Sequence, residues 1–360
     1  NKKEMFHRIL VINPGSTSTK VGVYINEQPL CVSTIRHTVE ELMQYEQIID
    51  QHDFRQQLVI DWLKANDIPF EFDAIIGRGG LIKPIPGGVY RVNRKMVYET
   101  YYALRKHACN LGCIIAYELA KQQQNGCKAY IADPVTVDEL LPEARVSGSP
   151  LMPRLAIWHA LNQRAIARRY ASEIGSQYED LDLIICHLGG GISIAAHQKG
   201  RAVDANNALD GEGPLSPERA GTLPAADLIH LCYSGRYTED QLKKRVAGQA
   251  GLMAHLGTTD ILQIMQQVEA GDAHAKLLID AMIFHTAKAI AAEGAVFSGQ
   301  VDAILITGGM AHSKYITQGI ASRVKFIAPV HLFPGEDEME ALALNALSVL
   351  RGECVAKEYE

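Results

Sequence analysis

No stretch of this chain is apolar for long enough to cross a bilayer as a helix. The apolar run 287–297 is interrupted by Lys288 and Glu293 and falls far short of the roughly 18–20 residues a span requires. Basic residues are not in excess: 35 Lys and Arg stand against 41 Asp and Glu, a formal charge of −6, so no general attraction to nucleic acid or to an anionic membrane is expected. The seven cysteines include no Cys-x-x-Cys pair and are odd in number, which argues against a zinc ribbon and fits a reducing, cytoplasmic setting. Cys109 and Cys113 lie one helical turn apart and read as small buried residues rather than metal ligands. The start, Asn1 to Met5, has charge without an apolar run behind it, so no signal peptide is read there and Met5 is a candidate first residue. A Walker A loop and a Gly-x-Gly-x-x-Gly dinucleotide fingerprint are also missing.

What is present is a globular composition, 47% hydrophobic and 21% charged with 30 glycines, in 360 residues, enough for two or three domains. The first chemistry-bearing stretch is Ile9-Leu-Val-Ile-Asn-Pro-Gly-Ser-Thr-Ser-Thr-Lys20-Val-Gly-Val-Tyr24. Two β-branched apolar runs flank a turn that Asn13, Pro14 and Gly15 allow to be tight. The turn offers the hydroxyls of Ser16, Thr17, Ser18 and Thr19, backbone N–H groups and Lys20 to an anion. The alternative is an ordinary Ser/Thr-rich hairpin turn. Strand, hydroxyl turn and strand in this order resemble the phosphate-holding hairpin of actin-like and sugar-kinase-like ATPases.

Strand-like runs alternate with amphipathic segments, the pattern of an α/β protein with parallel or mixed sheets. Periodicity predicts helices over 39–65 and 94–124 and strands over 73–77 and 128–132. Between them lies the glycine-rich loop Arg78-Gly-Gly-Leu-Ile-Lys-Pro-Ile-Pro-Gly-Gly88. The proline-bearing segment 140–153 is the expected boundary, giving domains 1–147 and 148–336, with the last helix, 337–352, returning to the first. The second half opens with a helix over 154–172 and a strand ending at His187-Leu-Gly-Gly-Gly191, followed by another strand. This repeats the opening strand, glycine turn and strand about 175 residues later, so an internal duplication is expected. A late strand, 302–307, ends at Gly308 and Gly309, where the missing Cβ atoms would let an adenosine approach the backbone.

Seven segments in order carry a closer resemblance: Asn13-Pro-Gly-Ser-Thr-Ser-Thr-Lys20, Gly77-Arg-Gly-Gly80, His107-Ala-Cys-Asn110, Asp133-Pro-Val-Thr136, His187-Leu-Gly-Gly-Gly191, Asp210-Gly-Glu-Gly-Pro-Leu-Ser-Pro-Glu-Arg219 and Pro334-Gly-Glu-Asp-Glu-Met339. Together they resemble the acetokinase family, on its butyrate kinase branch more than its acetate kinase branch, because Pro14 and Gly190 depart from the latter. The resemblance implies two duplicated actin-like (ribonuclease H-like) α/β domains with a central nucleotide cleft, in a protein that forms a homodimer or a higher homo-oligomer. It implies phosphoryl transfer between ATP, with Mg2+, and a short-chain carboxylate, giving an acyl phosphate and ADP, with butyrate as the expected acid and isobutyrate, propionate or another short-chain acid as the alternative. On these residues it places Arg78 at the carboxylate and Arg219 and His187 at the transferring phosphoryl group. Asn13, Ser16, Ser18, Lys20, Gly189, Gly190, Gly191, Gly308 and Gly309 would contact phosphates or nucleotide. His107, Pro86 and Val89, with Pro84 and Ile85, would line the acyl chain. Asp133, Asp337 and Glu338 would face Mg2+ through water, with Glu336 a third acidic candidate beside the last helix.

The chemistry agrees with that assignment from the other side. A carboxylate has a pKa of about 4–5 and attacks already ionised, so it needs cations to approach the γ-phosphate rather than a base. Each residue also has a structural alternative: loop arginines are commonly solvated, a strand-end histidine packs, and carboxylates before a helix stabilise its dipole. Two other functions remain open at this point. A sugar or glycerol kinase would use Asp133 as base toward an alcohol, and a non-catalytic actin-like protein would use ATP as a switch.

Overall fold

The computed structural model describes residues 5–360, so the reading of the Asn1-to-Glu4 start lies outside the described residues. Contacts divide the chain into two units, Asn1–Val137 with Asp337–Glu360, and Asp138–Glu336. Among the described residues, no helix is long and apolar enough to cross a membrane.

In the first unit, β1 (Arg8–Pro14), β2 (Ser18–Ile25) and β3 (Gln28–Arg36) make an antiparallel meander. β4 (Ala74–Gly77), β5 (Val89–Arg91) and β6 (Lys128–Ala132) extend the sheet beside β1 in the order β3-β2-β1-β4-β6-β5. β1, β4 and β6 run parallel. Ile9, Leu10, Val11 and Ile12 and all four residues of β4 are buried, as expected of parallel strands covered on both faces. The outer β3 instead alternates exposed with half-buried residues.

The second unit repeats this topology. β7 (Asp182–Leu188), β8 (Ile192–Gln198) and β9 (Arg201–Ala205) form the antiparallel part, and β10 (Ala303–Gly308) and β11 (Val330–Pro334) add parallel strands, in the order β11-β10-β7-β8-β9. β7 to β9 correspond to β1 to β3, and β10 and β11 to β4 and β6. Lys199 and Gly200 join β8 to β9 with φ of 49° and 82°, the left-handed pair a two-residue hairpin needs. Each sheet has its own apolar core, one around Leu10, Ile75, Leu111 and Ile131, the other around Ile184, Ile194, Ile279 and Ile306.

Two expected helices and the expected domain boundary differ from the structure. The helix predicted over 39–65 is broken into Val39–Met43, the 3-10 turn Ile48–Gln51 and His52–Ala65. The first piece starts at the Thr38 capping box but buries none of its residues, so no packing carries it onward. The helix predicted over 94–124 stops at Tyr101 and resumes at Leu111 after a 3-10 turn, Ala108–Asn110. That interruption lets the Asn110 side chain accept from the Leu81 N–H at 2.8 Å and donate to the Arg105 carbonyl at 2.9 Å. The boundary falls at Val137/Asp138 rather than 147/148. Segment 140–153 is tied to the second unit by the Leu141 N–H on the Val203 carbonyl at 2.9 Å, and Arg154 joins Ala144 to Asp204.

The first unit depends on one close backbone contact. A Cβ at Gly112, in the helix Leu111–Lys121, would lie 2.3 Å from the Arg78 carbonyl oxygen, and a Cβ at Gly77 would lie 2.3 Å from that of Gly112. Gly112→Ala is therefore expected to destabilise by about 1–3 kcal/mol, lowering the thermal midpoint by several degrees. Gly148→Ala, where a Cβ meets nothing within 4 Å, is the control. Differential scanning fluorimetry that showed equal midpoints for both variants would remove this contact from the account.

Candidate active site

The hydroxyl turn is the β1–β2 connection, closed by the Gly15 N–H on the Ser18 carbonyl at 2.7 Å. Register decides which side chains face together. Asn13 pairs with Lys20 across the hairpin, so both project from one face, and Ser18 follows two residues before Lys20 on that face. Alternation turns Thr19 to the opposite face, where it is fully buried and its hydroxyl meets His37 Nε2 at 2.8 Å. Lys20 is exposed, as are Ser16 and Thr17.

Arg78 follows β4 directly, its N–H bonded to the Ile12 carbonyl at 3.0 Å, which sets it beside Asn13. Its backbone is confined on every side. Besides the contact at Gly77, a Cβ at Gly79 would lie 2.6 Å from Pro134 Cβ, and one at Gly80 would lie 2.6 Å from Asn110 Oδ1. The Gly-Arg-Gly-Gly pattern is thus a packing requirement that fixes where the guanidinium begins. Its Nη1 donates to Glu338 Oε2, which also accepts from Asn13 Nδ2 at 2.9 Å. Glu338 opens the helix Glu338–Leu350, where the exposed N–H groups favour a carboxylate, and Asp337 caps that helix by accepting from the Glu340 N–H at 2.9 Å. The three adjacent acids therefore differ: Glu338 joins Arg78 and Asn13, Asp337 is a cap, and Glu336 belongs to the second unit.

Other predicted residues of the first unit have different settings. Asp133 is buried with φ +40°; its Oδ1 accepts from the Gly88 N–H at 2.7 Å and its own N–H donates to the Gly88 carbonyl at 3.1 Å. It thereby pins the loop carrying Pro86 and Val89. Val89 is buried in β5, and Pro86 is exposed, its carbonyl accepting from the Tyr90 hydroxyl at 2.7 Å. Ile85 belongs to the core rather than to an open lining. His107 is not within a helix: it is exposed, extended, and caps the 3-10 turn by accepting from the Cys109 N–H at 3.1 Å.

In the second unit His187 lies near the end of β7, 1% exposed. Asn162, from the helix Ala160–Glu173, donates its amide to His187 Nδ1 at 2.9 Å and to Thr307 Oγ1 at 3.1 Å. An amide donor at Nδ1 leaves the ring hydrogen on Nε2, which lies 3.4 Å from Glu336 Oε2. His159 stacks on the ring at 3.7 Å and 4°. The turn after β7 is closed by the Gly189 N–H on the Gly191 carbonyl at 3.0 Å. A Cβ at Gly191 would lie 2.1 Å from Arg219 Nη1, so the guanidinium lies directly against the turn. Ser216 locks the two together: its hydroxyl donates to the Gly190 carbonyl at 2.8 Å and accepts the Arg219 N–H at 3.1 Å. Arg219 Nη1 also donates to the Ala208 carbonyl at 3.1 Å, and burial lowers its pKa against the pull of Glu218 and Asp210.

Gly308 is glycine for a reason inside the protein: φ is +92° and a Cβ would lie 2.5 Å from the Leu188 carbonyl oxygen. Gly309 is exposed, with nothing within 4 Å of a Cβ, so only that position leaves open room beside the backbone. Sequence reading missed Asn162, Ser216 and Arg55. Arg55 carries the one visible signal, because it occupies a core position of the stripe Gln51, Arg55, Val59, Leu63.

With both glycine turns and their arginines placed, comparison with known proteins is informative. The acetokinase family profile matches residues 156–328. A “probable butyrate kinase” of Bacteroides thetaiotaomicron is 63% identical over 98% of this chain and all of its own length, and one of Phocaeicola vulgatus is 49% identical over 98% of this chain and 99% of its own. The crystal structure of Porphyromonas gingivalis acetate kinase superposes with a TM-score of 0.78 at 16% identity, over 96% of this chain and 100% of that one, which establishes the shared actin-like fold. On the strength of the full-length relatives, this chain belongs to the acetokinase family.

Proposed function

We propose that the chain transfers the γ-phosphoryl group of ATP to a short-chain carboxylate, butyrate in preference, forming an acyl phosphate and ADP. The family and the names of the two relatives support this reading. The structural observation that carries it is a contrast between two side chains. Arg78 emerges from a fixed loop beside Asn13 and keeps a quarter of its side chain accessible, 25%, while anchored to Glu338. Asp133, the base that an alcohol-phosphorylating kinase would need, has Oδ1 committed to the Gly88 N–H and its own N–H to the Gly88 carbonyl. A carboxylate acceptor needs the first and has no use for the second.

The roles follow from this. Arg78 holds the acceptor carboxylate, its planar fork matching two oxygens. Asn13, the hydroxyls of Ser16 and Ser18, and Lys20 present donors to the phosphoryl group. Arg219 and the Nε2–H of His187 stabilise charge on its oxygens, and Gly189 to Gly191 and Gly308 to Gly309 take the nucleotide. Exposed Pro86 meets the alkyl chain, while Val89 supports that loop from within β5. Transfer is direct and in line, because the acceptor is already an anion and no phosphoenzyme is required.

The acids fit Mg2+ unequally. Asp337 Oδ1 serves the helix cap and Asp133 Oδ1 serves Gly88, whereas Glu338 uses Oε2 for Asn13 and Arg78 and keeps Oε1 without a hydrogen-bond partner among the described residues. Glu338 is accordingly the residue to hold a hydrated Mg2+, which prefers few carboxylates and several waters and would neutralise phosphate charge.

A panel of acids from acetate to valerate, with ATP and hydroxylamine, tests the reaction. A hydroxamate with butyrate at the highest kcat/KM is expected, adjacent chain lengths differing by about 10- to 200-fold. ATP consumption without hydroxamate, with sugars or glycerol stimulating ADP release, would favour the alcohol kinase. Arg78→Ala should raise KM for the carboxylate at least about tenfold, while Arg219→Ala should mainly lower kcat, by about 100-fold. Small, equal effects on both constants would remove the two arginines from these roles. Glu338→Gln should raise the Mg2+ concentration giving half-maximal rate, and an unchanged Mg2+ titration would exclude Glu338 from the metal.

A further inference from the structure

The helix His52–Ala65 buries Arg55, Val59 and Leu63 on one face, so an arginine occupies a core position and is 0% exposed. No carboxylate pairs with it among the described residues. Its Nε and Nη2 donate to Gln51 Oε1 at 3.1 and 2.8 Å. The remaining donors all go to the hydroxyl turn: Nη1 to the carbonyls of Gly15 at 2.5 Å and Ser18 at 3.0 Å and to Thr19 Oγ1 at 3.3 Å, and Nη2 to the Ser16 carbonyl at 3.3 Å. Burial alone moves its pKa, from 12.5 down to about 10. A buried cation without a counter-ion is costly, and folds rarely keep one for stability alone.

The turn shows what the cation does. The Thr17 carbonyl is taken by the His37 N–H at 2.9 Å, so with Arg55 on Gly15, Ser16 and Ser18 all four turn carbonyls are bound by the protein. The opposite polarity is left open. Among the described residues nothing accepts from the N–H groups of Ser16 and Thr17, or from the hydroxyls of Ser16, Thr17 and Ser18. A backbone turn whose oxygens are all gathered on one side and whose donors are unclaimed is a preorganised anion receptor.

We propose that Arg55 is a positioning residue for the phosphoryl-binding turn. It gathers the turn's carbonyls so that the Ser16 and Thr17 amides and the hydroxyls remain turned to the ligand, and its unpaired charge behind the turn is completed by the bound anion. This rests on the carboxylate kinase reading for the identity of that anion, an acyl phosphate or the transferring phosphoryl group. Arg55 does not touch the ligand.

The test uses Arg55→Met, Arg55→Lys and Arg55→Ala in the full chain, assayed from butyryl phosphate and ADP, together with calorimetric binding of inorganic phosphate. Arg55→Met is expected to raise KM for butyryl phosphate about tenfold or more and to weaken phosphate binding in parallel, with KM for ADP changed less than about twofold. Arg55→Lys should recover part of the loss, and free guanidinium should restore Arg55→Ala. Folded variants with unchanged butyryl phosphate KM and phosphate affinity would overturn the proposal, as would equal rises in both KM values. If Arg55→Met does not fold, the lysine variant and guanidinium titration of Arg55→Ala decide, and a lysine variant with both KM values unaltered, or no rescue by guanidinium, counts against it. A wild-type protein inactive toward every carboxylate defeats the carboxylate kinase reading separately; phosphate binding lost in Arg55→Met would then still support the positioning role, and its retention would defeat that role too.

Discussion

One carboxylate holds together three pieces of the first unit that are remote in sequence. Glu338 Oε2 accepts from both Asn13 and Arg78, so the end of β1, the loop after β4 and the start of the last helix meet at a single oxygen. Such a partly buried charge is tolerable because the helix N-terminus and two donors surround it. Without Glu338, Arg78 and the cap region would lose their common reference point, even though each element has its own packing. The same interaction leaves Arg78 oriented and short of fully paired: Oε1 stays available, and the guanidinium has four donors beyond the one on Glu338.

The two units answer the same electrostatic problem with the same topology and different side chains. In each, an antiparallel hairpin ends in a glycine turn beside a parallel strand, and an arginine sits where only glycine allows approach. In the first unit the glycines flank Arg78 and fix its backbone. In the second the glycine is the floor on which the Arg219 guanidinium lies, with Ser216 joining the two loops. Position is set by close backbone packing that leaves no room for a Cβ, which is stiff, rather than by side-chain rotamers alone, which are soft.

Much of this was legible in the sequence. The buried runs 9–12 and 74–77, both glycine turns and the duplication follow from patterning and motif order, since parallel buried strands and glycine-limited turns leave direct traces. The short strands β5, β9 and β11 left none, because three to five residues at a sheet edge carry too little periodicity. The break between Tyr101 and Leu111 was hidden because the bond it accommodates, Leu81 to Asn110, spans 29 residues of chain. The differing settings of Glu336, Asp337 and Glu338 were equally invisible: three adjacent acids look alike until the helix direction separates the cap, Asp337, from the partner of Asn13 and Arg78, Glu338. Gly308 ends its strand as expected, and the close approach of the Leu188 carbonyl is a reason for glycine there that the sequence does not show.

In a chain of formal charge −6, positive charge acts locally, and its settings differ. Arg78 is a partly exposed cation, anchored to Glu338 through one nitrogen with its other donors left over. Arg55 is the fixed kind: fully buried, bonded only to neutral oxygens, and unable to be screened by solvent. An exposed lysine such as Lys20 adds attraction that salt weakens, whereas a buried guanidinium acting through peptide carbonyls keeps its field where water is excluded. For a reaction whose difficulty is the repulsion between two anions, a cation that cannot move or be hydrated is worth more than one that can. That is the physical reason for an arginine in a helix stripe otherwise suited to leucine.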